Sequence, residues 1–185
     1  MTTLSAPALP IPEEELEAVG ADGVPVELTV TFTDLQDFTT YTEVEGDEAA
    51  SRMLTRHHRE SLGIVRGRGG SVIKRLGDGL MLTFPSPESA VLACLELGEQ
   101  APLPLRAGIH CGIALVTDDD VIGRVVNLAA RVTAFADGGE VVVTDDVRRA
   151  VGGMRGVTFR GPYSRSFKGT GMPVPVHVLS RQHDG

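Results

Sequence analysis

Apolar and polar side chains alternate along Val26-Glu27-Leu28-Thr29-Val30-Thr31-Phe32, and this period of two predicts a strand that ends at Asp34. The period then changes. Ala50, Met53, Leu54 and Ile64 fall at helical spacing, so a helix is expected from about residue 48 to about residue 66, capped by Asp47 and ended by Gly69-Gly70. Two strands follow, Ser71 to Leu76 and Leu80 to Phe84, on either side of Gly77-Asp78-Gly79, whose Asp-Gly step favours a hairpin. Ser86-Pro87-Glu88 opens a second helix with proline at its first position, and Val91, Cys94, Leu95 and Gly98 continue it. Leu105 to Val116 reads as one long strand, or as a strand that bends at Gly112. A third helix is expected over Val125 to Ala136, a short buried strand over Val141 to Thr144, and a small helix over 145–151. Two or three strands then close the chain, with turns at Gly161-Pro162 and Met172-Pro173.

The order strand-helix-strand-strand-helix-strand predicts an α+β fold: a ferredoxin-like βαββαβ core with C-terminal strand-helix-strand additions. In that topology the first and third strands are antiparallel neighbours. The end of the first strand, with Asp34, therefore lies beside the start of the third, just after Asp78. Residues 1–24 carry Pro7, Pro10, Pro12 and the run Glu13-Glu14-Glu15, and are expected to form a flexible tail. One domain is expected over 25–181, with 182–185 as a second tail.

Composition narrows the function. The chain has 185 residues, of which 42% are hydrophobic, enough for a core without tryptophan. Its net charge of −8 argues against nucleic-acid or anionic-membrane partners. An acidic protein that binds a polyphosphate needs divalent cations to do so. Cys94 and Cys111 are isolated in apolar patterns and read as buried free thiols. With no basic n-region and no run long enough to insert in a membrane, a cytoplasmic location is expected.

Several side chains carry candidate chemistry. Two carboxylates forced together, Asp34 and Asp78, repel each other unless a cation lies between them, and a pair of Mg²⁺ or Mn²⁺ ions is the usual answer when phosphates are bound. Singly, Asp34 would cap a turn and Asp78 would be a hairpin residue. Lys74 and Asp120 match the edge of adenine, since a lysine donates to N1 and a carboxylate accepts from the N6 amine. Guanine reverses both polarities, so the pair predicts ATP over GTP. Asn127 and Arg131 are spaced i, i+4 and share one helix face with Arg124, while Val125, Leu128, Ala129 and Val132 form the buried face. His57 and His58 read as structural or solvent-facing, and His110 as packed. Nucleophile-elbow and Walker motifs are absent from the sequence.

Phe32-x-Asp34-Leu35-x-x-Phe38-Thr39, Lys74-x-x-Gly77-Asp78-Gly79 and Asp120-x-x-Gly123-x-x-x-Asn127-x-Ala129-Ala130-Arg131 together resemble the catalytic motifs of class III nucleotidyl cyclases. The likeness runs from about Val26 to Leu179, and the composition resembles that of soluble mycobacterial adenylyl cyclases. It implies an adenylate cyclase that forms 3′,5′-cyclic AMP and pyrophosphate. Asp34, Asp78 and the backbone carbonyl of Leu35 would hold two metals. Backbone groups of Leu35 to Thr39, Phe38 and Thr39 among them, would wrap the phosphates, with Lys168 also contacting them. Asn127 would orient the ribose and Arg131 would neutralise the α-phosphate. The resemblance also implies a homodimer with shared sites.

Two departures stand out. Asp37 occupies a position usually held by glycine in the family, and there it would repel a triphosphate unless it turns away or caps the next helix. The stretch from Gly112 to Asp120 is short, which points to a weak or ligand-dependent dimer. The rival readings are a catalytically weak or inactive nucleotide-binding regulatory module and a ferredoxin-like interaction domain.

Overall fold

The computed structural model of the chain describes residues 23–167 and 171–181. Residues 1–22 of the tail expected over 1–24, the tail expected over 182–185, and Lys168 lie outside the described residues, whereas Val24 of the expected tail already belongs to a strand. The strands are β1 (Val24–Leu35), β2 (Ser71–Leu76), β3 (Gly79–Phe84), β4 (Leu105–Val116), β5 (Val121–Ile122), β6 (Val141–Thr144), β7 (Val157–Arg165) and β8 (Val174–Arg181). The helices are α1 (Phe38–Glu45), α2 (Asp47–Gly67), α3 (Pro87–Gln100), α4 (Arg124–Thr133) and α5 (Asp145–Ala150).

One sheet runs in the order β2-β3-β1-β4-β6-β8-β7, with β5 added to β4. Its β2-β3-β1-β4 portion is the expected ferredoxin-like order, with β1 antiparallel to both β3 and β4. β6 joins β4 in parallel and opens the C-terminal additions. β1 pairs with β4 without a break from Val24↔Val116 to Leu35↔Leu105, so β4 is one strand and Gly112 does not divide it.

The pleat sorts side chains onto two faces. One face sends Leu82, Ile109 and Val143 against α3, with Val65 of α2 and Val147 of α5 at its edges. The other sends Val30 and Met81 against Val125 and Ala129 of α4, and Val142 and Val176 against Val132 of the same helix. All six residues of β3 are buried. Truncating Leu82, which is fully buried there, is expected to cost about 2–5 kcal/mol.

Four expectations are corrected. Helix α1 falls where no helix was expected, because none of its residues is buried and so no apolar stripe marks it. Asp47 is the first residue of α2 and not its cap; Gly46 holds the cap position and no side chain caps that helix. Gly161-Pro162 lies inside β7 at a shift of register between Arg160 and Tyr163, so it does not turn the chain. Ser86 does cap α3, accepting from Ser89 N–H at 3.2 Å. Helix α4 ends at Thr133, short of the expected Ala136.

Candidate active site

Asp34 stands near the end of β1, and Asp78 sits in the turn between β2 and β3. The β1–β3 register closes with Thr33↔Leu80, which carries the turn to the end of β1. Glycine is required beside it: a Cβ on Gly79 would lie 2.3 Å from the Thr33 carbonyl oxygen. Asp78 Oδ2 then accepts the Leu35 backbone N–H at 3.1 Å. Asp34 and Asp78 line one recess of about 440 Å³ together with Leu35, Asp37, Phe38, Thr39 and Arg106. Burial holds the Asp78 carboxyl above its usual range, and the negative charge of Asp34 pushes it the same way.

The sequence reading did not single out Arg106, yet it faces Asp34 across β1 and β4 and donates Nε–H to Asp34 Oδ2 at 2.7 Å. The available signal was a lone arginine between Leu105 and Ala107 in a strand that otherwise reads as buried. Only the register connects it to Asp34.

The donor set suits a hard cation. Carboxylate and carbonyl oxygens are what Mg²⁺ and Mn²⁺ prefer. Among the described residues, no group of three or more His, Cys, Asp or Glu side chains could hold a metal by itself. A site of two carboxylates suits an ion that arrives with phosphate and water, rather than one caged by protein alone.

Free backbone N–H groups sit on the same recess. The first hydrogen bond of α1 runs from Tyr41 N–H to Asp37 C=O at 2.9 Å, which leaves the N–H groups of Phe38, Thr39 and Thr40 ahead of the helical ladder. Such groups at a helix start attract anions. Asp37 makes no capping bond to them.

Lys74 of β2 and Asp120, in the turn before β5, form an ion pair at 2.5 Å. Asp120 also accepts Val121 N–H at 2.7 Å, and the hydrogen bond from Lys74 lowers its pKa. Lys74 pairs in register with Met81, and Met81 belongs to the face covered by α4.

Asn127 and Arg131 line a second recess of about 360 Å³ with Arg124, Leu128, His110 and Val174. Arg124, expected as a solvated residue, is exposed at its rim. His110 was expected to be packed. It is half-buried, its Nδ1 lies 2.9 Å from Thr144 Oγ1, and burial lowers its pKa. Strand alternation from Arg106 through Gly108 was the signal that could have placed His110 beside α4. His57 and His58 are buried in α2, and neither Nε2 has a hydrogen-bond partner.

The acidic recess and the α4 recess share no lining residue. A larger groove of about 560 Å³ lies between α2 and the end of α3, but Arg52 and Arg56 in its wall are already paired with Glu48 and Glu60. It has no convergent set of groups comparable to either recess.

Residues 25–173 match the family described as the adenylate and guanylate cyclase catalytic domain. The chain is 35% identical over 154 residues to a pH-sensitive adenylate cyclase of Mycobacterium tuberculosis, covering 75% of this chain and 38% of that protein. The crystal structure of the adenylyl cyclase CyaB from P. aeruginosa is similar with a TM-score of 0.77 at 25% identity, covering 88% of this chain and 97% of that one. The guanylyl cyclase Cya2 shares the fold, with a TM-score of 0.73 at 22% identity over 88% of this chain and 95% of its own. The chain spans well under half the length of the curated relatives it matches.

Proposed function

The chain belongs to the adenylate and guanylate cyclase catalytic domain family, the class III nucleotidyl cyclases, and we propose that it is an adenylate cyclase with its catalytic domain over 25–181. The observation that supports the choice of ATP is the Lys74–Asp120 pair, a donor and an acceptor side by side with the polarities that N1 and the N6 amine of adenine would meet. The pair is solvent-exposed in the free chain, and a guanine that covered it would leave its polar groups unpaired, at about 1–3 kcal/mol each.

The roles follow from the chemistry of each group. Asp34, Asp78 and the Leu35 carbonyl would hold two divalent ions, Mg²⁺ or Mn²⁺. Ions so bound lower the pKa of a hydroxyl and neutralise phosphate charge. The N–H groups of Phe38 and Thr39 donate to the phosphate chain, with Lys168 as a further cation. Asn127 holds the ribose so that its 3′-oxygen faces the α-phosphorus. The new bond forms between those two atoms, the bond to the β-phosphate oxygen breaks, and pyrophosphate leaves as the hydroxyl proton passes to solvent. Arg131 donates to the α-phosphate oxygens as charge grows there, an effect worth about 10²–10³ in rate.

Two recesses with no common wall residue suit a homodimer, in which the acidic recess of one copy faces the α4 recess of the other. Free Cys94 and Cys111 fit a reducing cytoplasm. No described helix is long and apolar enough to cross a membrane.

The test is direct. Purified protein is incubated with labelled ATP or GTP and Mn²⁺, and the cyclic products are separated. Cyclic AMP should form at least about tenfold faster than cyclic GTP product at equal nucleotide concentration. Equal turnover of the two nucleotides would remove the case for ATP. Specific activity should also fall on dilution, and constant activity in a demonstrated monomer would contradict the shared site. A second reading, a nucleotide-binding module of low turnover, is favoured by the added carboxylate of Asp37 in the phosphate recess. Binding of nucleotide without any cyclic product would select it.

A further inference from the structure

We infer that Asp37 sets the affinity of the nucleotide site: its carboxylate weakens the grip on the phosphate chain and makes occupancy depend more steeply on divalent cation. This rests on the nucleotide-binding reading given above.

The backbone limits what can stand at this position. Asp37 has φ 63° and ψ 16°, and it is the only non-glycine with positive φ among the described residues. Glycine adopts that conformation freely, and asparagine and aspartate are the L-residues that tolerate it best. Of these three, aspartate alone adds a charge.

Among the described residues, the Asp37 side chain forms no ion pair with a Lys, Arg or His. A capping aspartate normally takes extended φ and ψ and accepts N–H groups of the first helical turn. The left-handed conformation of Asp37 prevents this, and no side-chain cap bond forms. Its hydrogen bond comes from the neutral Gln36 Nε2, at 3.4 Å. Arg106, the guanidinium on this recess, is engaged by Asp34. Asp34, Asp37 and Asp78 all line the recess where phosphates would lie, and among its described lining residues Arg106 is the one cation, already paired with Asp34.

The loop is also pinned. Gln36 N–H donates to the Pro104 carbonyl at 2.9 Å, and the Gln36 side chain lies where a Cβ on Gly138 would be 2.2 Å from its Oε1. A loop tied at Pro104 and packed on Gly138 cannot carry Asp37 away without breaking both contacts. Repulsion across a hydrated recess corresponds to about a three- to thirtyfold loss of affinity for a polyphosphate. Divalent ions offset this, so the cation requirement rises.

Asp37→Asn removes the charge while tolerating the backbone, and Asp37→Gly removes both charge and strain. Equilibrium binding of 3′-deoxy-ATP, which lacks the attacking hydroxyl, is measured by calorimetry over a Mn²⁺ titration at low and high salt. Both variants should bind about three- to thirtyfold tighter than the wild type, need less Mn²⁺ for half-saturation, and differ from it less at high salt. Wild-type binding with no gain in Asp37→Asn overturns the inference, and so does a gain confined to Asp37→Gly, which would assign the effect to backbone strain. If neither the wild type nor the variants bind, the nucleotide-site reading falls and this inference falls with it. Tighter binding of 3′-deoxy-ATP by the variants, with no cyclic product when ATP itself is then supplied with Mn²⁺, upholds the inference while refuting the cyclase assignment.

Discussion

The recess at the end of β1 and the recess beside α4 differ in assembly and in charge. The first gathers Asp34, Asp78 and Arg106 from three strands or turns distant in sequence, through strand register. The second draws Arg124, Asn127, Leu128 and Arg131 from one helix, through the period of that helix, and adds His110 from β4. The first carries an excess of carboxylates, and the second carries arginines with no carboxylate in its wall. Each is electrostatically incomplete for a metal-triphosphate, and each has what the other lacks. On the proposed reading, the substrate bridges these two halves across two copies of the chain.

The strongest way to break this comparison is to disable each half separately. Asp34→Asn and Arg131→Ala should each lower kcat by about 10²–10³, the arginine change with little effect on KM. Mixed as subunits, the two inactive proteins should regain about a quarter of wild-type activity, since half of randomly formed dimers hold one intact site. A mixture that stays inactive would put both halves to work within one chain.

A smaller effect is expected where the base is read. Lys74→Ala should lower the preference for ATP over GTP by about ten- to a hundredfold, measured as the ratio of kcat/KM values. It breaks the pair with Asp120 and leaves both recesses otherwise as they are. An unchanged ratio would detach base reading from that pair.

The next effect concerns acid. Burial lowers the pKa of His57, helped by His58, while Glu60 opposes it. Burial lowers that of His58, helped by Arg75, while the charge of Asp78 in the acidic recess opposes it. Both start from an ordinary value of 6.5. Between the lowered values and 6.5 the unfolded chain binds more protons than the folded one. Stability is therefore complete above that window and falls as pH drops through it. Thermal unfolding of His57→Gln/His58→Gln should lose less Tm between neutral pH and about pH 5.5 than the wild type, by a few degrees at most. An equal loss in both would show that these histidines do not contribute.

The smallest effect is on the phosphate loop itself. Asp37→Gly relieves left-handed strain but gives the unfolded chain more freedom, so stability should change by about 1 kcal/mol or less, read by chemical denaturation. A larger gain would mean that the loop stores more strain than one residue explains.

Much of the fold was readable from alternation and spacing. The strand from Val26 to Asp34, the Asp78 hairpin and the Ser86 cap are local patterns with local causes, and the order of elements led from them to the ferredoxin-like sheet. Helix α1 was not readable, because a helix with no buried residue leaves no apolar stripe. Asp47 has the chemistry of a cap, but the chain turns one residue earlier at Gly46. The candidate site followed the same division. Asp34, Asp78, Asn127 and Arg131 were named from spacing and polarity and Leu35, Phe38 and Thr39 from the family resemblance, whereas Gln36, Thr40, Arg106, His110 and Val174 were not tied to either recess.

The sequence by itself determined which side chains share a helix face, which alternate along a strand, and where charge could meet a nucleotide. These are consequences of the fixed periods of 3.6 and 2.0 residues. Only the tertiary structure decided that Arg106 lies on Asp34, that His110 is anchored to Thr144, and that Asp37 is left-handed and uncapped. The first two depend on register across strands distant in sequence. The third depends on a loop tied at Pro104 and packed against Gly138, and no local pattern encodes closure at a distance.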